Sequence, residues 1–99
     1  MLFGTKIKEL REYKHLPQRE IANALNIDTA TYCKIEKGDR KARREQLIIM
    51  ANMFSVEENY LLSLWVADKV NDTISKDIEV APLALCIVDN LLKEKGICQ

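Results

Sequence analysis

Residues 16–38 read LPQREIANALNIDTATYCKIEKG, and this stretch decides the fold. An apolar residue just before a helix and another five positions later form a hydrophobic staple that fixes the helix start. The stretch contains this spacing twice, as Leu16/Ile21 and Ile27/Tyr32. The implied N-cap positions, Pro17 and Asp28, are eleven residues apart. That distance leaves room for about two turns of helix, a turn near residues 25–27 and a second helix.

Two short helices joined by such a turn have the spacing of a helix-turn-helix. Asp28 is a good N-cap because its carboxylate accepts hydrogen bonds from the free amides of the first turn, whereas Pro17 offers no such group. Gly38 should end the second of these helices, since glycine adopts the left-handed conformation without strain. A polar basic loop follows over residues 39–43.

Apolar residues at helical spacing predict further helices on both sides of this motif. We expect a first helix over roughly residues 3–14, a fourth around residues 47–54 and a fifth after a third staple, Val56/Leu61, with Glu57 as its N-cap. Residues 71–81 are a weaker stretch, a linker or a short helix. A last amphipathic helix spans residues 83–92 and stops near Gly96.

The composition excludes several classes of protein. The chain has 99 residues, 47% of them hydrophobic, with three Gly and two Pro. These values describe one small, mostly helical core rather than a β-sandwich, a disordered chain or a two-lobed catalytic cleft. With one His, no Gly-rich phosphate loop and no metal-ligand cluster in the sequence, we expect no enzyme, catalytic residue, cofactor, metal or small-molecule ligand.

The cysteines and the N-terminus predict a cytoplasmic protein. Cys33, Cys86 and Cys98 are widely separated and form no Cys-x-x-Cys pair, so we expect free thiols rather than disulfides or a zinc site. Residues 1–6 lack the pattern of a signal peptide, and no apolar run approaches the ~18 residues of a membrane span. We expect no membrane partner.

Charge is unevenly distributed along the chain. Lys+Arg and Asp+Glu each number 15, but residues 1–44 hold 11 of the basic and 6 of the acidic side chains, a net charge of +5. The remaining residues carry −5. The first part can therefore meet a polyanion that the second part would repel.

Several motifs in register resemble the XRE family, the phage-repressor and Cro type of helix-turn-helix regulators. The motifs are Ile7-Lys8-Glu9-Leu10-Arg11, Gln18-Arg19-Glu20-Ile21-Ala22, Ile35-Glu36-Lys37-Gly38, Ala51, and Val56 with Tyr60-Leu61-Leu62. The resemblance covers roughly residues 3–66. It implies an all-α, five-helix, phage-repressor-like DNA-binding domain over residues 1–68, followed by a C-terminal helical extension over residues 69–99.

The resemblance also implies which residues contact DNA. In this family the third helix lies in the major groove, so the base-reading candidates are Thr29, Ala30, Thr31 and Lys34. Lys34 could equally contact a phosphate, and that alternative stays open. The implied phosphate contacts are Gln18, Arg19, Lys37, Arg40, Lys41, Arg43 and Arg44.

Two further expectations come from comparing this sequence with the family pattern, position by position. Arg11 and Glu36 occupy the positions of a partly buried ion pair that ties the first helix to the end of the third. Ala42 replaces a proline that is common in the family. We expect the loop to be freer as a result, because alanine does not fix φ.

The last helix cannot bury its apolar stripe alone, so it must pack on the rest of the chain, on a second copy, or on both. Palindromic half-sites require a symmetric protein. We therefore expect the extension to form a homodimer interface together with the end of the fifth helix. The interface residues would be Leu64, Trp65, Leu83, Ile87, Val88 and Leu91.

These inferences predict a sequence-specific, double-stranded DNA-binding transcription regulator that acts as a homodimer on a palindromic operator. The small size also resembles the controller proteins of restriction-modification operons. Two alternatives remain: an antitoxin of a toxin-antitoxin pair that also binds its own promoter, and a protein-interaction module that keeps the fold without binding DNA.

Overall fold

The computed structural model describes residues 2–95, and this part of the chain is all-α, which confirms the predicted fold class. The helices are α1 (Leu2–Tyr13), α2 (Gln18–Leu25), α3 (Thr29–Lys37), α4 (Arg44–Phe54), α5 (Glu58–Ile74) and α6 (Ala81–Glu94). A 3₁₀ turn, Ser75–Asp77, follows α5. The described residues divide into two compact units, one ending at Asp68 and the other beginning at Lys69.

The ends of α2 and α3 follow from local backbone chemistry. Pro17 is the N-cap of α2 in an extended conformation, and Asp28 is the N-cap of α3, where its carboxylate accepts a hydrogen bond of 2.8 Å from the Thr31 amide. Asn26 and Gly38 close the two helices in the left-handed conformation, with φ of 62° and 85°. Their own amides donate to carbonyls of the last turn, as helix C-caps do.

The core of the first unit is one cluster of buried apolar side chains to which all five of its helices and the loop before α4 contribute. Helix α3 contacts both α1 and α2, and α4 contacts the same two helices. Ala22 in α2 is 1% exposed, so its small side chain lies where α2 packs against its neighbours. The members of the cluster are Phe3, Ile7, Ile21, Ala22, Leu25, Tyr32, Ile35, Ala42, Leu47, Met50, Ala51, Phe54 and Leu61.

Helix α1 approaches the end of α3 through Gly4. A Cβ atom built on Gly4 would lie 2.5 Å from the carbonyl oxygen of Glu36 and 3.0 Å from that of Ile35. Both neighbours are backbone atoms, which cannot rotate away as a side chain can. The absence of a side chain at Gly4 therefore sets how closely α1 packs against the last turn of α3.

The first turn of α1 is capped by a residue far away in the sequence. The Asp68 carboxylate accepts hydrogen bonds from the amides of Leu2 and Phe3, both at 2.9 Å, and Asp68 is itself buried. These amides have no partner within their own helix. A negative charge at a helix N-terminus also interacts favourably with the positive end of the helix dipole. Asp68 thus ties α5 to the start of α1.

The second unit differs from its sequence-based description in one respect. Helix α5 continues to Ile74 and the 3₁₀ turn occupies the next three residues, so the stretch 71–81, expected as a linker or a short helix, begins with the last turn of α5 and ends at the first residue of α6. The hydroxyls of Thr73 and Ser75 donate to carbonyls one turn earlier, which satisfies these polar side chains within a helix. The predicted stop near Gly96 lies outside the described residues, as does Cys98.

Candidate nucleic-acid interface

Helix α3 has one buried face and one exposed face. Tyr32, Ile35 and Glu36 point into the first unit and are at most 8% exposed. Thr29, Ala30 and Lys34 are exposed, and Thr31 is half-buried. The sequence-predicted base-reading residues therefore lie together on the outward side of α3, with Lys34 about one turn beyond Ala30.

Cations surround this face at the C-terminal end of α3 and beyond it. Lys37 belongs to the last turn of α3, and the loop that follows leads directly into α4. The cations predicted to contact phosphates are exposed: Arg19, Lys37, Arg40, Lys41, Arg43 and Arg44. An exposed excess of positive charge next to an exposed helix face raises the local concentration of a polyanion.

An ion pair on the buried face of α3 holds this helix against α1. Arg11 in α1 donates to Glu36 from Nε to Oε2 at 2.6 Å and from Nη2 to Oε1 at 3.3 Å, and its Nη1 donates to the Leu16 carbonyl at 3.0 Å. The side chains are 12% and 4% exposed. A two-pronged guanidinium–carboxylate contact restricts both distance and orientation. The pair that the family register implied is therefore present, and it joins α1 to the last turn of α3.

Gln18 enters the same network, which sequence reasoning missed. Its Nε2 donates to Glu36 Oε1 at 3.0 Å across 18 residues. The amide group has two N–H donors, so this bond occupies one of them. Gln18, at the first position of α2, thus connects α2 to the end of α3, while its predicted role was a phosphate contact.

Burial and hydrogen bonding oppose each other at Glu36. Burial alone would raise the pKa of the Glu36 carboxyl, but hydrogen bonds, led by the one from Arg11, outweigh burial and lower the pKa below its ordinary value. The hydrogen bond to Glu36 raises the pKa of Arg11. Both groups are therefore held in their charged forms.

The Tyr32 hydroxyl lies in the same electrostatic surroundings. Burial raises the pKa of Tyr32, and the charges of Glu36 and Arg11 both act on the hydroxyl. Within the described part of the chain its oxygen is buried without a hydrogen-bond partner of standard geometry. Tyr32 is fully buried, as expected for the apolar partner of Ile27 in a hydrophobic staple.

The basic loop is held by a side chain from α5. Trp65 Nε1 donates to the Ala42 carbonyl at 2.9 Å, and the Arg44 guanidinium carbon lies 5.4 Å from the centre of the Trp65 ring. Ala42 is 5% exposed. The expectation of a freer loop was based on the missing proline ring, but burial and this long-range hydrogen bond restrain the alanine backbone instead. No local sequence signal indicates a contact across 23 residues.

The residues predicted to form a dimer interface fall into two groups. Leu83, Ile87, Val88 and Leu91 of α6 are all at least half exposed. Leu64 and Trp65 are half-buried and pack against the core of the first unit. Among the predicted interface residues, the exposed ones are therefore those of α6.

The described residues contain free thiols but neither a metal-binding cluster nor a membrane-spanning helix. Residues 2–95 contain no cluster of His, Cys, Asp and Glu side chains suited to a metal ion, and Cys33 and Cys86 are free thiols. No helix in that range is long and apolar enough to span a membrane.

A family model described as helix-turn-helix, HTH_3, matches residues 7–61. The chain belongs to this XRE-type helix-turn-helix family. The matched range runs from the buried Ile7 of α1 to the buried Leu61 of α5 and contains α2, α3, the basic loop and α4.

Curated relatives carry names from the same class of protein. The HTH-type transcriptional regulator ImmR of Bacillus subtilis is 31% identical over 94 residues, which cover 93% of this chain and 74% of ImmR. The cryptic phage CTXphi transcriptional repressor RstR of Vibrio cholerae is 32% identical over 62 residues, 63% of this chain and 56% of RstR. The uncharacterized HTH-type transcriptional regulator YqaE of Bacillus subtilis is 27% identical and covers 95% of this chain and 96% of YqaE. No solved structure matches the chain significantly. These proteins are named as regulators of transcription, not as enzymes.

Proposed function

We propose that this helix-turn-helix transcription regulator binds double-stranded DNA as a homodimer on a palindromic operator. The observation that carries the proposal is the outward face of α3, where Thr29, Ala30 and Lys34 are exposed beside a run of exposed cations. An α-helix fits the major groove of DNA, where the edges of the four base pairs can be distinguished. The Arg11–Glu36 pair holds the opposite side of α3 to the core.

Each candidate base-reading residue of α3 has a chemical role in this proposal. The hydroxyls of Thr29 and Thr31 exchange hydrogen bonds with base edges, and the methyl group of Ala30 contacts a thymine methyl. Lys34 either reads guanine or contacts a phosphate. Gln18 and the six cations Arg19, Lys37, Arg40, Lys41, Arg43 and Arg44 contact the sugar-phosphate backbone, which sets the register of the protein on the duplex.

The homodimer is supported by the exposure of α6. Leu83 is 64% exposed, Ile87 53% and Leu91 51%, although all are large apolar side chains. Such a stripe on one helix favours a symmetric contact with the same helix of a second copy. Two copies would then present two α3 helices to successive major grooves.

Selection of bound sites from random duplex DNA tests the proposal directly. We expect an inverted repeat whose half-site centres lie ~34–36 Å apart, one helical turn of DNA. If about eight of the twelve such cations in a dimer each neutralise a phosphate, affinity should fall with salt at a log-log slope near −7, at about −0.9 per contact. A flat salt response would favour the protein-interaction module, and a single, non-repeated site would contradict the dimer.

Two substitutions separate base reading from backbone contact. Lys34→Ala should relax the preference at one base step if Lys34 reads a base. Arg40→Ala, at an exposed loop position, should weaken binding to all sequences alike. If both substitutions weaken all sequences equally, Lys34 is a phosphate contact.

A further inference from the structure

The basic loop, residues 39–43, is attached to α5 through a buried residue. Ala42 is its only buried residue, and the Ala42 carbonyl accepts the Trp65 indole N–H at 2.9 Å. The other four residues of the loop are exposed. The hydrogen bond therefore fixes the backbone in the middle of the segment that carries Arg40, Lys41 and Arg43.

The start of α4 is fixed at the same place. The Arg44 guanidinium lies against the Trp65 ring, with 5.4 Å from its carbon to the ring centre, where the π electrons attract a cation. The Arg43 amide donates to Gln46 Oε1 at 2.9 Å, which satisfies one free amide before the first turn of α4. One indole thus contacts both the loop backbone and the first cation of α4.

We infer that Trp65 is a positioning residue for DNA-backbone recognition, acting through the loop rather than by touching DNA. This inference rests on the proposed function. A free loop would lose conformational freedom on aligning its cations with phosphates, which weakens binding. A loop already held at Ala42 has lost that freedom before DNA arrives. Trp65 supplies the restraint that proline supplies elsewhere in the family.

Trp65→Phe tests this role because phenylalanine keeps an aromatic ring for packing but has no N–H donor. Duplex binding should weaken about 5- to 10-fold for every sequence, as expected for the loss of one hydrogen bond that orders a binding loop. The order of sequence preference should stay unchanged. The salt slope should become shallower by about 1 to 2 per dimer, since fewer phosphate contacts form at once. Amide hydrogen exchange should accelerate in residues 39–43 and stay unchanged in α2 and α3.

Leu62→Ala is the matched control for a purely structural effect. Leu62 lies on the same helix, is half-buried and packs on the same core. Its truncation should lower the melting temperature while the folded protein keeps the wild-type salt slope and loop exchange. If Trp65→Phe does not fold, Trp65→benzothienylalanine replaces the N–H by sulfur at nearly constant shape and serves the same comparison.

The outcomes separate this inference from the proposed function. If the wild type shows no salt-dependent duplex binding, the proposed function fails and the inference fails with it. If the wild type binds duplex DNA but Trp65→Phe keeps its affinity, slope and loop exchange, only the role of Trp65 is overturned. A Trp65→Phe protein that sediments as a monomer, while the wild type is a dimer, would assign Trp65 to the interface and overturn the positioning role.

Discussion

The two units of the chain carry similar amphipathic helices but bury them very differently. In the first unit, thirteen apolar residues form one cluster, and seven large side chains are less than 2% exposed. In the described part of the second unit, Ala81 alone is buried, while six large apolar side chains of α6 are 41–64% exposed. An apolar stripe therefore predicts a helix but does not predict what covers that stripe. The first unit buries its apolar side chains in its own core, and we propose that a second copy of the chain covers the apolar stripe of α6.

The largest effect is expected from charges on α6. Ile87→Asp combined with Leu91→Asp places two carboxylates one turn apart on its exposed apolar surface. We expect the dimer to dissociate and affinity for a palindrome to fall ~100-fold or more, because linked half-sites then bind as separate molecules. Sedimentation and DNA titration measure the two effects.

Asn90→Asp is the control for the α6 variant, since it adds one charge at an exposed polar position of the same helix. It should leave both assembly and affinity near the wild type. A wild type that is monomeric at micromolar concentration would contradict the proposed contact between two α6 helices. A double variant that binds DNA no more weakly than Asn90→Asp would contradict it as well.

A large effect on stability is expected within the first unit from Arg11→Met. The change leaves the buried Glu36 carboxylate without its two-pronged partner, which should cost about 3 kcal/mol in the free energy of unfolding. Urea denaturation at neutral pH measures it. Glu9→Gln breaks the exposed Lys6–Glu9 pair, whose atoms are 3.0 Å apart, and should change stability little. Similar losses in both variants would mean that burial does not distinguish the two pairs.

Gly4→Ala should lower the stability of the protein, although the same change usually stabilises a helix. Within a helix, alanine is favoured over glycine by about 1 kcal/mol, yet the new Cβ would lie 2.5 Å from the Glu36 carbonyl oxygen. We expect a net destabilisation of about 1–2 kcal/mol, because backbone must move to relieve the overlap. Asn23→Ala, on an exposed position of α2, should be neutral or stabilising. A more stable Gly4→Ala protein would show that α1 and α3 are not tightly packed.

Local chemistry explains what the sequence could predict. Asp28 and Gly38 mark helix ends because a cap depends on one side chain and the adjoining backbone. The staples at Leu16 and Ile27 place α2 and α3 in the same way. The Arg11–Glu36 pair came only from the family register, since nothing local relates residues 25 positions apart.

Long-range contacts explain what the sequence could not predict. Gln18 to Glu36, Trp65 to Ala42 and Asp68 to Leu2 span 18, 23 and 66 residues. Each is a single polar contact whose existence depends on how helices pack, so no periodicity reveals it. Contacts with DNA and between two copies depend in addition on the surface of the partner, which no pattern within one chain encodes.

The smallest expected effect is a pH dependence that belongs to the first unit. The pKa of the folded Glu36 carboxyl is lowered from 4.5, so the unfolded chain takes up this proton at higher pH than the folded chain does. The stability from Glu36 is therefore complete above the unfolded pKa and is lost as pH falls through the folded one. Urea denaturation from about pH 6 to about pH 3 should show a weaker acid loss for Glu36→Gln than for the wild type. Equal slopes of unfolding free energy against pH in the two proteins would mean that the Arg11 contact does not favour the charged form of Glu36. The ion pair would then orient α3 without making its stability depend on pH in this range.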